Sequence, residues 1–169
     1  MPVQEYTDDY RVGIKEVIGG IRENREFIKV LELGAGPLST PVFIRHCNLV
    51  ISIDLKFGEW VEDYKDYNNW SMLEGDDIQF MNQMLDSGMD FSIIYIDSSH
   101  KFEHTSQELE LASELLEPGG VILMHDVSWA EVARAIELFI YENDDWGFKS
   151  GPRSDLGVIR EINIKTHIV

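Results

Sequence analysis

Short apolar runs that stop abruptly at glycine or acidic residues alternate with longer stretches in which apolar side chains recur every three or four positions. The first run, Ile28 to Leu33, breaks off in Gly34-Ala35-Gly36-Pro37, as a buried strand entering a tight turn does. Ahead of it, Val12, Ile14, Val17, Ile18 and Ile21 predict a helix over Tyr10 to Arg25, with Thr7 or Asp8 as N-cap and Gly19-Gly20 weakening it or ending it early. After the glycine turn, Ser39 or Thr40 caps the next helix; Pro41 suits its first position and biases Thr40 toward extended geometry. Further strands are predicted at Leu49 to Leu55, Ser71 to Leu73, Phe91 to Ile96 and Val121 to Met124. Phe102, Thr105, Leu109, Ala112 and Leu116 form one helical stripe, with Glu103, Glu108, Glu110, Glu114 and Glu117 mostly off it, and Pro118-Gly119-Gly120 ends that helix. A second amphipathic helix, Glu131 to Tyr141, leads to Trp146-Gly147-Phe148 and Leu156 to Ile162, which read as a closing hairpin. Strands alternating with helices imply an α/β doubly wound sheet, mostly parallel with a C-terminal antiparallel hairpin, in a single domain over residues 1–169.

Composition narrows the partners. The chain has 169 residues, 44% hydrophobic, and 14 Lys plus Arg against 31 Asp plus Glu, a formal charge of −17. Such a balance repels phosphate backbones and anionic headgroups, and the densest basic cluster, Arg22, Arg25 and Lys29, is interleaved with Glu23 and Glu26. Neither nucleic acid nor a membrane surface is expected as a partner. No apolar stretch approaches eighteen residues, and Cys47 is the single cysteine, excluding an intrachain disulfide and a thiolate zinc cluster. A reducing, cytoplasmic setting is the expectation.

Chemistry concentrates where the strands end. In a doubly wound sheet, ligands bind outside the carboxyl ends of the strands, at the point where strand order reverses. Those ends carry Glu32 with Gly34 to Gly36, then Asp54, then Gly75 to Asp77, then Asp97 to His100, then His125 and Asp126. Gly34-x-Gly36 alone can be no more than a turn, but Asp54, twenty residues past Gly34, stands where a carboxylate binds ribose hydroxyls. Pro37, Pro41 and the surrounding acidity disfavour a pyrophosphate, so a nucleoside without phosphates fits better than a nicotinamide dinucleotide. The acidic segment Asp54 to Asp90, with Trp60, Tyr64, Tyr67 and Trp70 interleaved, reads as a solvated loop with packed aromatics or a flap over the cofactor. His46, His104 and His167 have no comparable context and are expected on the surface.

Taken together, V-L-E-L-G-A-G with S-T after it (Val30 to Thr40), I-D (Ile53-Asp54), E-G-D-D (Glu74 to Asp77), Y-I-D-S-S-H-K-F-E (Tyr95 to Glu103), L-L-E-P-G-G-V-I-L-M-H-D-V (Leu115 to Val127) and G-P-R-S-D-L-G-V-I-R (Gly151 to Arg160) resemble a class I S-adenosylmethionine-dependent methyltransferase. The resemblance is to the methyltransferase-24 type of small-molecule methyltransferases, and it implies a Rossmann-like fold and S-adenosylmethionine as cofactor. By that resemblance Gly34 and Gly36 pass under the methionine moiety, Glu32 supports its amino group or the loop, and Asp54 holds the ribose. Asp76, with Asp77, reads the adenine amino group, and Asp97 faces both the sulfonium and the acceptor.

The resemblance also sets Asp97 and Asp126 on adjacent strands, where they could hold one Mg²⁺ between them to acidify an acceptor hydroxyl. Related O-methyltransferases present carboxylates or an amide where this chain has His125, whereas a His-Asp pair is usual in the methyltransferase-24 type. The plainer readings are an N-cap for Asp126 and a hydrogen-bonded strand end for His125. His100, neutral at pH 7, is the candidate general base, with capping of the following helix or orienting Asp97 as the alternative. Trp129 either floors an acceptor pocket or packs beneath a loop. The expected catalytic set is Asp97, His100 and His125, acting on a small-molecule acceptor, most simply by O-methylation. The alternatives are a nucleotide-binding oxidoreductase and a non-catalytic S-adenosylmethionine-binding module. With 27 residues ahead of the first strand, little chain is left for an acceptor lid, which a partner subunit of a homo-oligomer could supply.

Overall fold

The computed structural model describes residues 3–151 and 155–162; His167 lies outside them. Seven strands, β1 (Lys29–Leu33), β2 (Leu49–Asp54), β3 (Trp70–Glu74), β4 (Phe91–Ile96), β5 (Leu116–Met124), β6 (Trp146–Ser150) and β7 (Gly157–Glu161), form one sheet in the order β3-β2-β1-β4-β5-β7-β6. The first five are parallel, and β7 runs antiparallel to both β5 and β6. Strand order reverses between β1 and β4, so the carboxyl end of that pair is the switch point of a Rossmann-like fold.

The sheet is covered on both faces, which is why β1, β2 and β4 read as continuous apolar runs. Leu31, Leu33, Ile94, Ile96, Ile122 and Met124 point to the side of α3 (Asp77–Asp86), α4 (Phe102–Leu115) and α5 (Ala130–Glu142). Val30, Ile93, Tyr95, Val121 and Leu123 alternate to the other side and pack under α1 (Val3–Arg22) and α2 (Thr40–His46). Cys47 is buried in that second core, and burial pushes its thiol up to about 12.

Local expectations needed correction at several places. Helix α1 starts at Val3, so Thr7 and Asp8 are inside it rather than capping it, and it runs through Gly19-Gly20 to Arg22. Burial of Ile14, Ile18 and Ile21 outweighs a penalty of roughly 1 kcal/mol per glycine. Thr40 is helical rather than extended, and Ser39 occupies the N-cap without a side-chain capping bond because its hydroxyl is committed elsewhere. Helix α4 ends at Leu115, and Pro118-Gly119-Gly120 lies inside β5. The segment from Asp54 to Asp90 is more ordered than a loop: it contains a 3₁₀ turn over Glu59–Asp63, β3, and the whole of α3. Asp76 caps α3, accepting from Gln79 N–H at 2.8 Å, and Met81 and Met84 anchor it to the core.

Candidate active site

Backbone bonds continue past the strand ends and fix the loops in a row. Gly75 N–H donates to Asp54 O (2.9 Å), Gly34 to Ile53 O (2.9 Å), Asp97 to Leu33 O (2.8 Å) and His125 to Ile96 O (3.1 Å). The strand-end side chains thus come to one edge of the sheet. Gly34 has φ +81°, and a Cβ there would lie 2.1 Å from the Asp97 carbonyl oxygen, so only glycine permits this approach of the β1 and β4 loops.

A cavity of about 510 Å³ opens at the switch point, within the range of small-molecule sites. Gly34, Ala35 and Gly36 line it from β1, Asp54 from β2, Gly75, Asp76 and Asp77 from β3, and Asp97, Ser98 and Ser99 from β4, with Lys101 and His104. Four carboxylates against one lysine and one histidine give the cavity a net negative lining. Asp54 is held in place by Ala35 N–H (3.0 Å) and Lys56 N–H (3.0 Å), which leaves its carboxylate rigid at the cavity wall.

Glu32 is not among the lining residues. It is fully buried behind the glycine turn, accepting from the hydroxyls of Ser39 (2.6 Å), Thr40 (2.7 Å) and Ser52. Its place is support of the loop. Burial pushes its carboxyl up to about 7 against the pull of those three donors.

Asp97 is gripped from two sides. Tyr95 donates its hydroxyl to Asp97 Oδ2 at 2.9 Å, and the Tyr10 hydroxyl bonds that of Tyr95 in turn. Burial, together with the Asp97 charge, holds both phenols well above the ordinary tyrosine value, so both remain neutral donors. His125 Nδ1 stands 3.1 Å from Asp97 Oδ1 and 3.1 Å from Asp126 Oδ2. Burial opposes a charge on His125, but the hydrogen bond and charge of Asp97, with the charges of Asp126 and Asp155, outweigh it and raise its pKa.

His100 and Asp126 also meet, with Nε2 to Oδ2 at 2.7 Å. Asp126 has φ +52°, an uncommon conformation for a residue with a side chain, and it does not cap α5, whose N-cap is Trp129. The loop behind it is pinned by Asp155, which accepts from Ser128 N–H (2.9 Å) and Ser128 hydroxyl (2.6 Å), a tie that sequence reading missed. His100 does not cap α4, where Lys101 takes that position. Trp129 is 56% exposed and its ring lies 4.5 Å from that of His100, so it is not packed beneath a loop. Asp97, His100 and Asp126 can each offer one ligand atom within 4.8 Å of the others.

Two acidic and histidine positions depart from expectation. Glu108, read as mostly off the apolar stripe of its helix, is 0% exposed, and His104, expected on the surface, lines the cavity with its Nε2 2.9 Å from Asp77 Oδ1. The sequence signal for both was their i, i+4 spacing on α4 opposite the N-terminus of α3. His46 is exposed, as expected.

The strand order, the switch-point cavity and the row of strand-end carboxylates define an α/β domain with a carboxylate-lined cleft at its switch point. The family model described as a methyltransferase domain matches residues 31–127, and the chain belongs to that family. Its fold is that of class I S-adenosylmethionine-dependent methyltransferases. No curated protein sequence matches it. Among solved structures it is similar to MycE methyltransferase of the mycinamycin biosynthetic pathway, solved with Mg, S-adenosylhomocysteine and mycinamycin VI (TM-score 0.65, 14% identity, 92% of this chain). The chain spans about half the length of that protein, 50%. It is also similar to CalS11, a TDP-rhamnose 3'-O-methyltransferase of calicheamicin biosynthesis (TM-score 0.71, 12% identity, 90% of this chain and 79% of that one). An O-methyltransferase from Bacillus cereus in complex with S-adenosylhomocysteine gives TM-score 0.63 at 17% identity, covering 94% of this chain and 80% of that one. Among the described residues no helix is long and apolar enough to cross a membrane.

Proposed function

We propose that the protein transfers the methyl group of S-adenosylmethionine to a hydroxyl of a small molecule. The observation that carries this reading is the carboxylate-lined cavity at the switch point, bordered by the turn at Gly34, where a Cβ would strike the Asp97 backbone. S-adenosylmethionine, when bound, supplies a methyl group on a positively charged sulfur. The residues present fit it. Gly34 and Gly36 offer bare backbone for the methionine moiety, Asp54 a fixed carboxylate for ribose, Asp76 and Asp77 acceptors for an adenine amino group, and Asp97 negative charge near the sulfonium.

Asp97 contributes by charge and by position. Tyr95 and His125 fix its two oxygens, so little reorganisation is needed when an acceptor arrives. His100 is the base: with the Nε2 hydrogen directed at Asp126, Nδ1 is left as the nitrogen that accepts the hydroxyl proton. None of His100, His125 and Asp126 lines the cavity itself; His125 touches the two carboxylates beside it and acts as a positioning residue. Asp97 and Asp126 would hold a magnesium ion through carboxylate oxygens, which would supply acidity to the acceptor hydroxyl. The exposed Trp129 ring beside His100 gives a flat apolar surface for the acceptor.

Titration with S-adenosylhomocysteine and with NAD, followed by methyl transfer to a panel of small hydroxyl compounds, tests the reading. Binding of the former only, and a fall in turnover of at least about 100-fold in Asp97→Asn at unchanged thermal stability, is the expected result. NAD binding without S-adenosylhomocysteine binding, or full activity in Asp97→Asn, would overturn it. Binding with no transfer to any acceptor would instead support a non-catalytic module.

A further inference from the structure

A second constellation lies in the wall of the cavity, apart from Asp97 and Asp126. Asp77 opens α3, while His104 and Glu108 stand one turn apart on the face of α4 that meets α3. His104 Nε2 is 2.9 Å from Asp77 Oδ1 and 3.8 Å from Glu108 Oε1, and one ligand atom from each of the three lies within 4.8 Å of the others. Glu108 is 0% exposed. Its Oε1 accepts from the Ser98 hydroxyl, but its Oε2 is buried with no hydrogen-bond partner among the described residues. A buried carboxylate oxygen without a donor is costly.

Reach points to what is missing. The single imidazole stands 2.9 Å from Asp77 Oδ1 and approaches Glu108 at Oε1 rather than Oε2. A divalent cation lying between the three side chains would give Oε2 its partner. We infer that Asp77, His104 and Glu108 form a binding site for a divalent transition-metal ion of the zinc type, which joins α3 to α4. One imidazole nitrogen with two carboxylates is a donor set zinc accepts, whereas magnesium asks for six oxygens in near-octahedral order. The site opens on the cavity, which Asp77, Ser98 and His104 all line. Asp77 is shared with the adenine reading above, so the test reads zinc retention rather than methyl transfer.

The test is titration of the metal-stripped full chain with zinc chloride alone, followed by desalting, metal analysis and thermal unfolding. Asp126→Asn is used as the background, so that the Asp97, His100 and Asp126 group does not contribute. Asp126→Asn protein is expected to retain one zinc per chain and to unfold at higher temperature with it. Adding His104→Ala, at a partly exposed position, or the isosteric Glu108→Gln should weaken binding by more than the roughly 10- to 100-fold that loss of an outer-shell partner costs. No retained zinc in Asp126→Asn would overturn the inference, as would equal affinity after His104→Ala and after Glu108→Gln. In either case Glu108 would instead hold a proton shared with Asp77.

Discussion

Glu32 sets three hydroxyl donors against complete removal from water, and burial prevails, leaving its pKa at about 7 against an ordinary 4.5. Because the folded-state value is raised, the stability this residue contributes is fully present below pH 4.5 and is lost as pH rises through 7. The loss amounts to about 3 kcal/mol. Glu32→Gln removes the titration while keeping an acceptor for the hydroxyls, so its stability should be flatter than wild type between about pH 5 and 8. Urea unfolding across that range checks this, and parallel curves for the two proteins would reject it. At this scale the strand-end acids were readable because an acidic residue that stops an apolar run has few reasons to be there. Asp54, Asp76, Asp77 and Asp97 indeed line the cavity. Glu108 and His104 were harder to read: their i, i+4 spacing is visible in the sequence, but what they meet, Asp77 at the start of α3 and Ser98 after β4, is set by the fold.

Elements were legible in proportion to how much of them is buried. Strand β4 is buried at all six positions and reads as an unbroken apolar run, whereas α3 buries only Asp77, Met81 and Met84 and was lost in acidic sequence. Its one clear signal was Asp76 in N-cap position. The glycine turn separates two roles that look alike in sequence. Gly34 has positive φ and a Cβ would strike the Asp97 backbone at 2.1 Å, whereas a Cβ at Gly36 meets only Ser39 Oγ at 3.8 Å. Gly34→Ala is expected to cost at least about 3 kcal/mol and to abolish S-adenosylhomocysteine binding. Gly36→Ala should keep stability within about 1 kcal/mol. Thermal unfolding and calorimetry of the two variants separate these outcomes, and similar stability losses in both would refute the distinction.

At the scale of the molecule, the net charge of −17 divides between a solvated surface and a small set of carboxylates gathered at one edge of the sheet. The doubly wound order and closing hairpin followed from the alternation of strand and helix patterns, since few topologies connect them without crossing. The pairing of β7 between β5 and β6 depends on the contacts of the completed sheet. The row of backbone bonds from Gly75 to His125 has a practical corollary for rebuilding this chain. The carboxylates and glycines that line the cavity hang from one rim, and the turn between α3 and β4, with the unobstructed Gly88, lies at the opposite one. A flexible peptide spliced between Ser87 and Gly88 should leave S-adenosylhomocysteine affinity within about threefold, while the same splice between Ser98 and Ser99 should destroy it. Calorimetry on the two insertions decides the matter. If it holds, the protein is a scaffold whose far rim can carry a tag, a sensor module or a new chain terminus without disturbing its chemistry.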